Sequence, residues 1–147
     1  MTDQTILLAL EEQVGCYQRL AKLAQIQHEH IRQGRIEQLL DVLRSRQQVL
    51  EQMTACERIV APAKRQWETF AGRLPHSMRQ KAEALLAESR SLLEQITAAD
   101  RDDALVLQQR KLNLGKELRQ ASSARQVNRM YGMAAYGRKP STMDVQR

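Results

Sequence analysis

The chain has 147 residues, a net charge of +6 at pH 7, and a composition that is 42% hydrophobic but only 3% aromatic. A core with so few aromatic residues must be built from Leu, Ile, Val, Ala and Met, which favours helices and argues against a sheet protein. The charge is divided unevenly, because residues 104–147 hold nine Lys or Arg and two acids, a net of +7, whereas residues 1–103 have a net of −1. We therefore expect a helical body followed by a basic segment that serves a partner.

The sequence argues against a secretory signal and against a membrane-spanning helix. The N-terminus has no basic residue before its short apolar run at residues 6–10, and no apolar stretch approaches the ~20 residues of a spanning helix. Cys16 and Cys56 lie forty residues apart without a CxxC spacing, so we interpret them as free thiols in a reducing compartment. The sequence thus predicts a cytoplasmic protein that does not insert into membranes.

Two helices of similar length are predicted in the first half of the chain. Apolar residues recur at spacings of three and four from Leu7 to Ile31, which indicates an amphipathic helix of about 30 residues. Gly34 interrupts this pattern, and a second one runs from Ile36 to Val60. Because glycine readily adopts the left-handed conformation that ends helices, Gly34 is the expected C-cap of an antiparallel hairpin. One kinked helix is the alternative.

A proline marks the end of the second helix. Pro62 falls inside the apolar pattern and cannot donate a backbone hydrogen bond. We therefore expect the second helix to kink or restart at Pro62 and to end near Gly72. Trp67 and Phe70 lie three residues apart on one helical edge, and we expect both rings to pack beneath the turn at Leu74 and close one end of a bundle.

The third predicted helix is the longest. Ser77 is its expected N-cap, and its apolar spacing continues to Ala121, so an unbroken helix approaches 50 residues, or roughly 75 Å, whereas the first helix spans roughly 45 Å. The sequence therefore predicts an all-α fold, an antiparallel bundle of three long helices with an overrunning third helix. We assign residues 1–125 to a helical bundle domain and residues 126–147 to a flexible basic tail.

No constellation of residues indicates catalysis, a metal or a cofactor. His28 and His30 are two residues apart and point to different faces of a helix, whereas helical zinc sites use residues four apart. Asp100, Asp102 and Asp103 have no partner nucleophile or base, and a solvated helix face is the expected explanation. We therefore predict that the protein is not an enzyme and needs neither a cofactor nor a metal.

Polar side chains occupy several apolar positions of the second helix. Arg46 and Glu57 fall on its stripe, and Gln47 lies beside Arg46. The simpler interpretation is that the stripe reaches solvent and that the long side-chain stems cover apolar neighbours. A buried pair that sets the register of the helices is the other interpretation.

The basic C-terminal third supports two interpretations. Arg129, Arg138 and Lys139, interleaved with Tyr131 and Tyr136, could bind phosphates and stack on the bases of a nucleic acid. The same region also keeps apolar residues at helical spacing, which suits a helix of a protein partner. Because the basic residues are dispersed around the helix, we favour the protein partner and expect no nucleic acid. The apolar residues are Leu107, Leu114, Leu118 and Ala121, with Met130 beyond them.

Two short motifs lie near the end of the chain. One is an Asn-x-Gly-x-x-Leu stretch, and the other is a Tyr-Gly pair that occurs twice. With the plan of antiparallel helices, these motifs resemble the FlgN family of flagellar type III export chaperones. The helical plan covers the whole chain, and the Tyr-Gly ending covers about a dozen residues. The residues concerned are Asn113, Gly115 and Leu118 for the first motif and Tyr131-Gly132 and Tyr136-Gly137 for the second.

The resemblance implies a non-enzymatic chaperone for the hook-filament junction proteins, which are hook-associated proteins of the bacterial flagellum. Such a chaperone holds its substrates soluble and delivers them to the cytoplasmic domain of the export gate. In the family, the C-terminal region binds the C-terminal helix of the substrate, and a tyrosine element contacts the gate. Carried over, the substrate-binding residues are Leu107, Leu114, Leu118, Ala121 and Met130, and gate docking falls to Tyr131 with Gly132 or to Tyr136 with Gly137.

Self-association is also expected, because the free chain would expose its apolar stripe. A homodimer could bury the segment from Leu107 to Ala121 of each subunit against its mate. A substrate helix would then replace the second subunit.

Overall fold

A computed structural model describes the backbone of residues 2–130 and the side chains of residues 2–126. Within this range the chain is entirely helical, and no strand occurs. The all-α prediction is therefore confirmed, although the helices number four instead of three. They are α1 (Asp3–Gln33), α2 (Ile36–Arg65), α3 (Trp67–Arg73) and α4 (His76–Met130).

Helix α1 has a defined cap at each end. The Thr2 side chain accepts a hydrogen bond from the backbone N–H of Thr5 at 3.1 Å, which satisfies a donor that has no partner within the helix. At the other end Gly34 adopts the left-handed conformation with φ of 68°. Its N–H bonds back to the carbonyl of Ile31 at 3.2 Å. The prediction that Gly34 is the C-cap is confirmed.

Side-chain pairs show that α1 and α2 form a hairpin. Gln13 pairs with Glu57 at 2.8 Å, and Arg19 pairs with Gln52 at 2.9 Å. The later residue of α1 pairs with the earlier residue of α2, so the two helices run in opposite directions. The sharp reversal at Gly34 excludes the alternative of one kinked helix.

The break after α2 lies four residues beyond the proline. Pro62 is inside α2, and the N–H of Gln66 still donates to the Pro62 carbonyl at 3.3 Å. The helix stops where the backbone of Gln66 leaves the helical region, with φ of −124° and ψ of 52°. Helix α3 follows and ends at Arg73. A restart therefore occurs as expected, but not at Pro62 itself, because the missing proline N–H removes one hydrogen bond while the next turn still closes.

One core cluster lies near the α3 end of the fold. Phe70 is 2% exposed and shares this cluster with Leu74 and with Leu10 of α1. The ring of Trp67 is half-buried, and its centroid lies 5.3 Å from that of Phe70. The prediction that the aromatic residues pack beside Leu74 is confirmed. Each fully buried Leu or Phe side chain contributes about 1.5–3 kcal/mol to folding.

A second core cluster joins α1, α2 and the first part of α4. Cys16 and Leu20 of α1 pack there with Val49 of α2 and Ile96 of α4. Nearer the start of α4, Lys81 forms an ion pair with Glu11 at 2.6 Å. Residue numbers along α4 rise together with those along α1, so these two helices run in the same direction.

Contacts divide the chain into two compact units, Met1–Asp103 and Ala104–Arg147. The first unit contains α1, α2, α3, the beginning of α4 and both core clusters. The predicted division into a bundle domain at residues 1–125 and a tail at residues 126–147 stays a prediction, since most of that tail lies outside the described residues.

We expect Gly34→Ala to lower the free energy of unfolding by about 1 kcal/mol, because alanine resists a positive φ. Gly72→Ala is the matched control: Gly72 has no positive φ, and a Cβ atom there would meet nothing within 4 Å. The control should not lose stability. Urea denaturation followed by circular dichroism measures both values, and equal stability of the two variants would contradict a capping role for Gly34.

Candidate functional site

A polar cluster connects α4 to the helical hairpin at the end of the first unit. It consists of Gln27 and His28 from α1, Arg46 from α2, and Asp100 and Asp103 from α4. Asp103 is only 2% exposed. Its carboxylate accepts a hydrogen bond from Gln27 Nε2 at 3.0 Å and pairs with His28 Nδ1 at 2.7 Å. A buried carboxylate is thus satisfied by two side chains of α1.

Arg46 completes the polar cluster from α2. Its guanidinium donates two hydrogen bonds to the Asp100 carboxylate, both at 2.8 Å, and a third to Gln27 Oε1 at 2.8 Å. The hydrogen bonds to Asp100 raise the pKa of Arg46, and burial opposes this shift only in part. Gln27 is the link between the two halves, since its oxygen accepts from Arg46 while its nitrogen donates to Asp103.

The polar cluster corrects one sequence-based expectation and decides another. The three aspartates were expected on a solvated face, but only Asp102 is exposed, whereas Asp103 is buried and Asp100 is half-buried. The Arg46 side chain is 15% exposed and pairs with Asp100, which is 38% exposed, so this pair is half-buried. Gln47 and Glu57 are exposed, as the simpler interpretation of a stripe that reaches solvent predicts. His28 is half-exposed as expected, yet it contacts Asp103.

A spacing in the sequence could have identified the buried aspartate. Asp103 lies seven residues after Ile96, which lies seven residues after Ser89 and fourteen after Ala82, and all four side chains are buried. Seven residues complete about two turns, so the four side chains share one face of α4. The expected solvation of Asp103 was wrong because the charge of the residue was given more weight than its phase on the helix.

The segment of α4 in the second unit carries the predicted substrate-binding residues. Leu107 and Leu114 are 44% and 48% exposed. Leu118 is half-buried and Ala121 is exposed. Their spacings of seven, four and three residues place all four on one side of the helix. We call these four residues the apolar stripe.

The other predicted site residues lie at or beyond the limit of description. Met130 is the last residue of α4, and its side chain is not described. Tyr131, Gly132, Tyr136 and Gly137 lie outside the described residues. The prediction that a tyrosine docks at an export gate therefore stays a prediction.

Two further leucines of the same segment were missed by the sequence reasoning. Leu105 and Leu112 are 65% and 61% exposed, more than Leu107 and Leu114 of the apolar stripe. Each lies two residues before a stripe leucine, and a step of two residues turns about 200° around a helix. They therefore face away from the stripe. The sequence indicated these two leucines by their own spacing of seven residues, which lies on a different face of the helix from the spacing of Leu107 and Leu114.

Basic residues surround the apolar stripe. Residues 104–126 hold five Lys or Arg and one acid, a net of +4. Arg119 packs near Gly115, where a Cβ atom would come within 3.7 Å of its guanidinium. An exposed apolar stripe with basic flanks is suited to an amphipathic helix whose flanks carry carboxylates.

The described residues contain no group of three His, Cys, Asp or Glu side chains placed to hold a metal ion. In the same part of the chain, no helix combines the length and apolar character needed to cross a bilayer. Comparisons with protein-family models, with curated proteins and with solved structures found no match to this chain.

We expect Asp103→Ala to lower the free energy of unfolding by about 2 kcal/mol, because it leaves Gln27 Nε2 and His28 without their acceptor. Asp102→Ala removes the same group from an exposed neighbour and should change stability by less than about 0.5 kcal/mol. Urea denaturation of both variants measures the difference. Equal stabilities would show that the polar cluster does not anchor α4.

Proposed function

We propose that this protein is a cytoplasmic export chaperone similar to the FlgN family, which binds hook-filament junction proteins and delivers them to the flagellar type III export gate. The observation that carries the proposal is the exposure of Leu107 and Leu114 on one side of α4. Leucines at helical spacing that remain exposed are the feature expected of a surface that another protein covers.

The size of the apolar stripe is appropriate for one helix of a substrate. From Leu107 to Ala121 the stripe extends over fifteen residues, or about 21 Å. Burying a leucine contributes about 1.5–3 kcal/mol to binding. Several such contacts offset the free-energy cost of association, but they do not give a very tight complex. An affinity near the micromolar range, about −8 kcal/mol, is suitable for a carrier that must release its cargo.

The architecture included in this proposal is an antiparallel bundle of three long helices, with α4 overrunning the other two. The opposite directions of α1 and α2 and the shared direction of α1 and α4 support this arrangement. The last part of the proposal is docking at the cytoplasmic domain of the gate, through Tyr131-Gly132 or Tyr136-Gly137. This docking step is based on the resemblance to the FlgN family.

A second candidate function is nucleic-acid binding by a basic helical protein. The net charge of +7 on residues 104–147 favours it, since Lys and Arg neutralise phosphates. The two functions differ in the contacts that provide affinity. Apolar contacts respond weakly to salt, whereas affinity for a polyanion falls steeply as salt rises.

We expect Leu114→Asp to weaken binding of a synthetic peptide, taken from the C-terminal helix of a hook-filament junction protein, by at least about tenfold. Leu112→Asp is the matched control, because Leu112 is more exposed and lies on the other side of the same helix. It should weaken binding less than about twofold. Fluorescence anisotropy measures both affinities, and equal losses would exclude the apolar stripe as the binding face.

The same measurement in rising salt distinguishes the two candidate functions. Between 50 and 200 mM salt, peptide affinity should change by less than about threefold, whereas binding of a DNA duplex through several phosphates would lose orders of magnitude. Tight DNA binding that is lost with salt, together with no binding of the peptide, would favour the second function.

We also expect the free protein to form homodimers through the apolar stripe. The weight-average molar mass should rise across micromolar concentrations in light scattering, and both substrate peptide and Leu114→Asp should return it to that of one chain. A constant molar mass with and without peptide would refute an exchange between a second subunit and the substrate.

A further inference from the structure

Two adjoining cavities lie in the first unit, a larger one between α1 and α2 and a smaller one whose wall is mainly α4. The larger has a volume of about 660 Å³ and is lined by Gln13 of α1 and Leu50 of α2. The smaller has a volume of about 370 Å³ and includes Ser89 of α4 in its wall. Tyr17 and Lys64 line both cavities. We call the two together the α2–α4 groove.

Two buried polar atoms in the α2–α4 groove have no hydrogen-bond partner among the described residues. Gln13 is 1% exposed, and its Nε2 donates to Glu57 at 2.8 Å, but its Oε1 accepts no hydrogen bond. Ser89 is 5% exposed, and its Oγ is unpartnered. An unpaired buried polar atom is costly, and most such atoms in proteins are paired. Gln13 lines the larger cavity and Ser89 the smaller one, so a single elongated ligand could reach both side chains.

The shape of the α2–α4 groove is suited to a helix. Its α2 wall extends over fifteen residues from Leu50 to Lys64, or about 21 Å. Leu50 and Leu93 are 42% and 47% exposed and stand on opposite walls. Two walls made of helices, with α1 between them, leave the position that an additional helix of a bundle would occupy.

The charges on the rim indicate the chemistry of the occupant. Glu57 and Lys64 neutralise each other at 3.0 Å. Arg58 on the α2 wall and Arg90 on the α4 wall form no ion pair within the described part of the chain, and Glu83 is the opposing acid on the α4 wall. Each wall therefore has one cation without an ion pair among the described residues, and with Glu83 counted the rim keeps a net charge of +1, which favours carboxylates on a bound helix.

We propose that the α2–α4 groove binds an acidic amphipathic helix of about fifteen residues from a partner protein. Its apolar side chains pack between Leu50 and Leu93, and its polar side chains donate hydrogen bonds to Gln13 Oε1 and Ser89 Oγ. Carboxylates on its flanks pair with Arg58 and Arg90. This site lies wholly within the first unit, so it does not depend on the apolar stripe or on the function proposed for it.

The test uses a displayed library of fifteen-residue peptides on a fixed helical frame, with the apolar face and both flanks randomised, selected against the full-length protein. We expect peptides with Leu or Met anchors and a net negative charge. Leu93→Glu should weaken their binding at least tenfold. Leu40→Glu is the matched control, because Leu40 is 48% exposed on α2 but does not line the groove, and it should change affinity less than twofold.

Three outcomes would overturn the proposal: no enriched peptide, enriched peptides that bind Leu93→Glu as well as the original protein, or enriched peptides with a net positive charge. Leu114→Asp separates this site from the apolar stripe. Groove peptides should bind that variant normally, whereas loss of their binding there would assign the peptides to the stripe and leave the groove without an occupant.

Ser89→Ala tests the unpartnered hydroxyl directly. Since Ser89 Oγ has no hydrogen-bond partner in the part of the chain that the structure describes, its removal should not lower the midpoint of thermal unfolding, yet it should weaken binding of the selected peptides severalfold. A lower midpoint together with unchanged peptide affinity would show that the hydroxyl serves the fold and not a ligand.

Discussion

The buried carboxylate of Asp103 is the interaction on which the position of α4 depends. It lies at the last position of the first unit, and its partners Gln27 and His28 are in α1, 76 and 75 residues away in the sequence. Arg46 brings α2 into the same network through Gln27. A buried charge tolerates little displacement, because losing either partner leaves an unsatisfied group in a low-dielectric interior. The polar cluster therefore favours one alignment of the first-unit part of α4 against α1 and α2.

The apolar residues of α4 differ in solvent exposure between the two units. In the first, Ala82 and Ile96 are buried against α1 and α2, and in the second, Leu107 and Leu114 remain exposed. The same helical period thus contributes to folding in one unit and offers a surface for another protein in the other. The α2–α4 groove differs again, since it combines exposed leucines with two buried polar atoms that lack partners. These two surfaces call for two kinds of contact, one mainly apolar and one that also requires hydrogen-bond donors.

Much of the fold could be predicted because its determinants are local. The period of apolar residues indicated the helices, and the conformational freedom of Gly34 indicated the end of α1. The exact end of α2 could not be read from Pro62, because the missing N–H weakens a helix without deciding which later residue leaves it. In the candidate site, the spacing from Leu107 to Ala121 identified one face of α4, while Leu105 and Leu112 went unnoticed since they follow a different phase.

The sequence by itself thus determined that this chain is helical, where α1 ends, and that a basic segment carries leucines at helical spacing. Only the tertiary structure decided that Asp103 pairs with Gln27 and His28, that Arg46 pairs with Asp100, and that Gln13 and Ser89 lie beside one groove. The physical reason is that a period specifies which residues share a face, but the partner of that face comes from a distant part of the chain. Which side chains pair with a charged residue on that face depends on that partner, and so cannot be read from its neighbours in sequence.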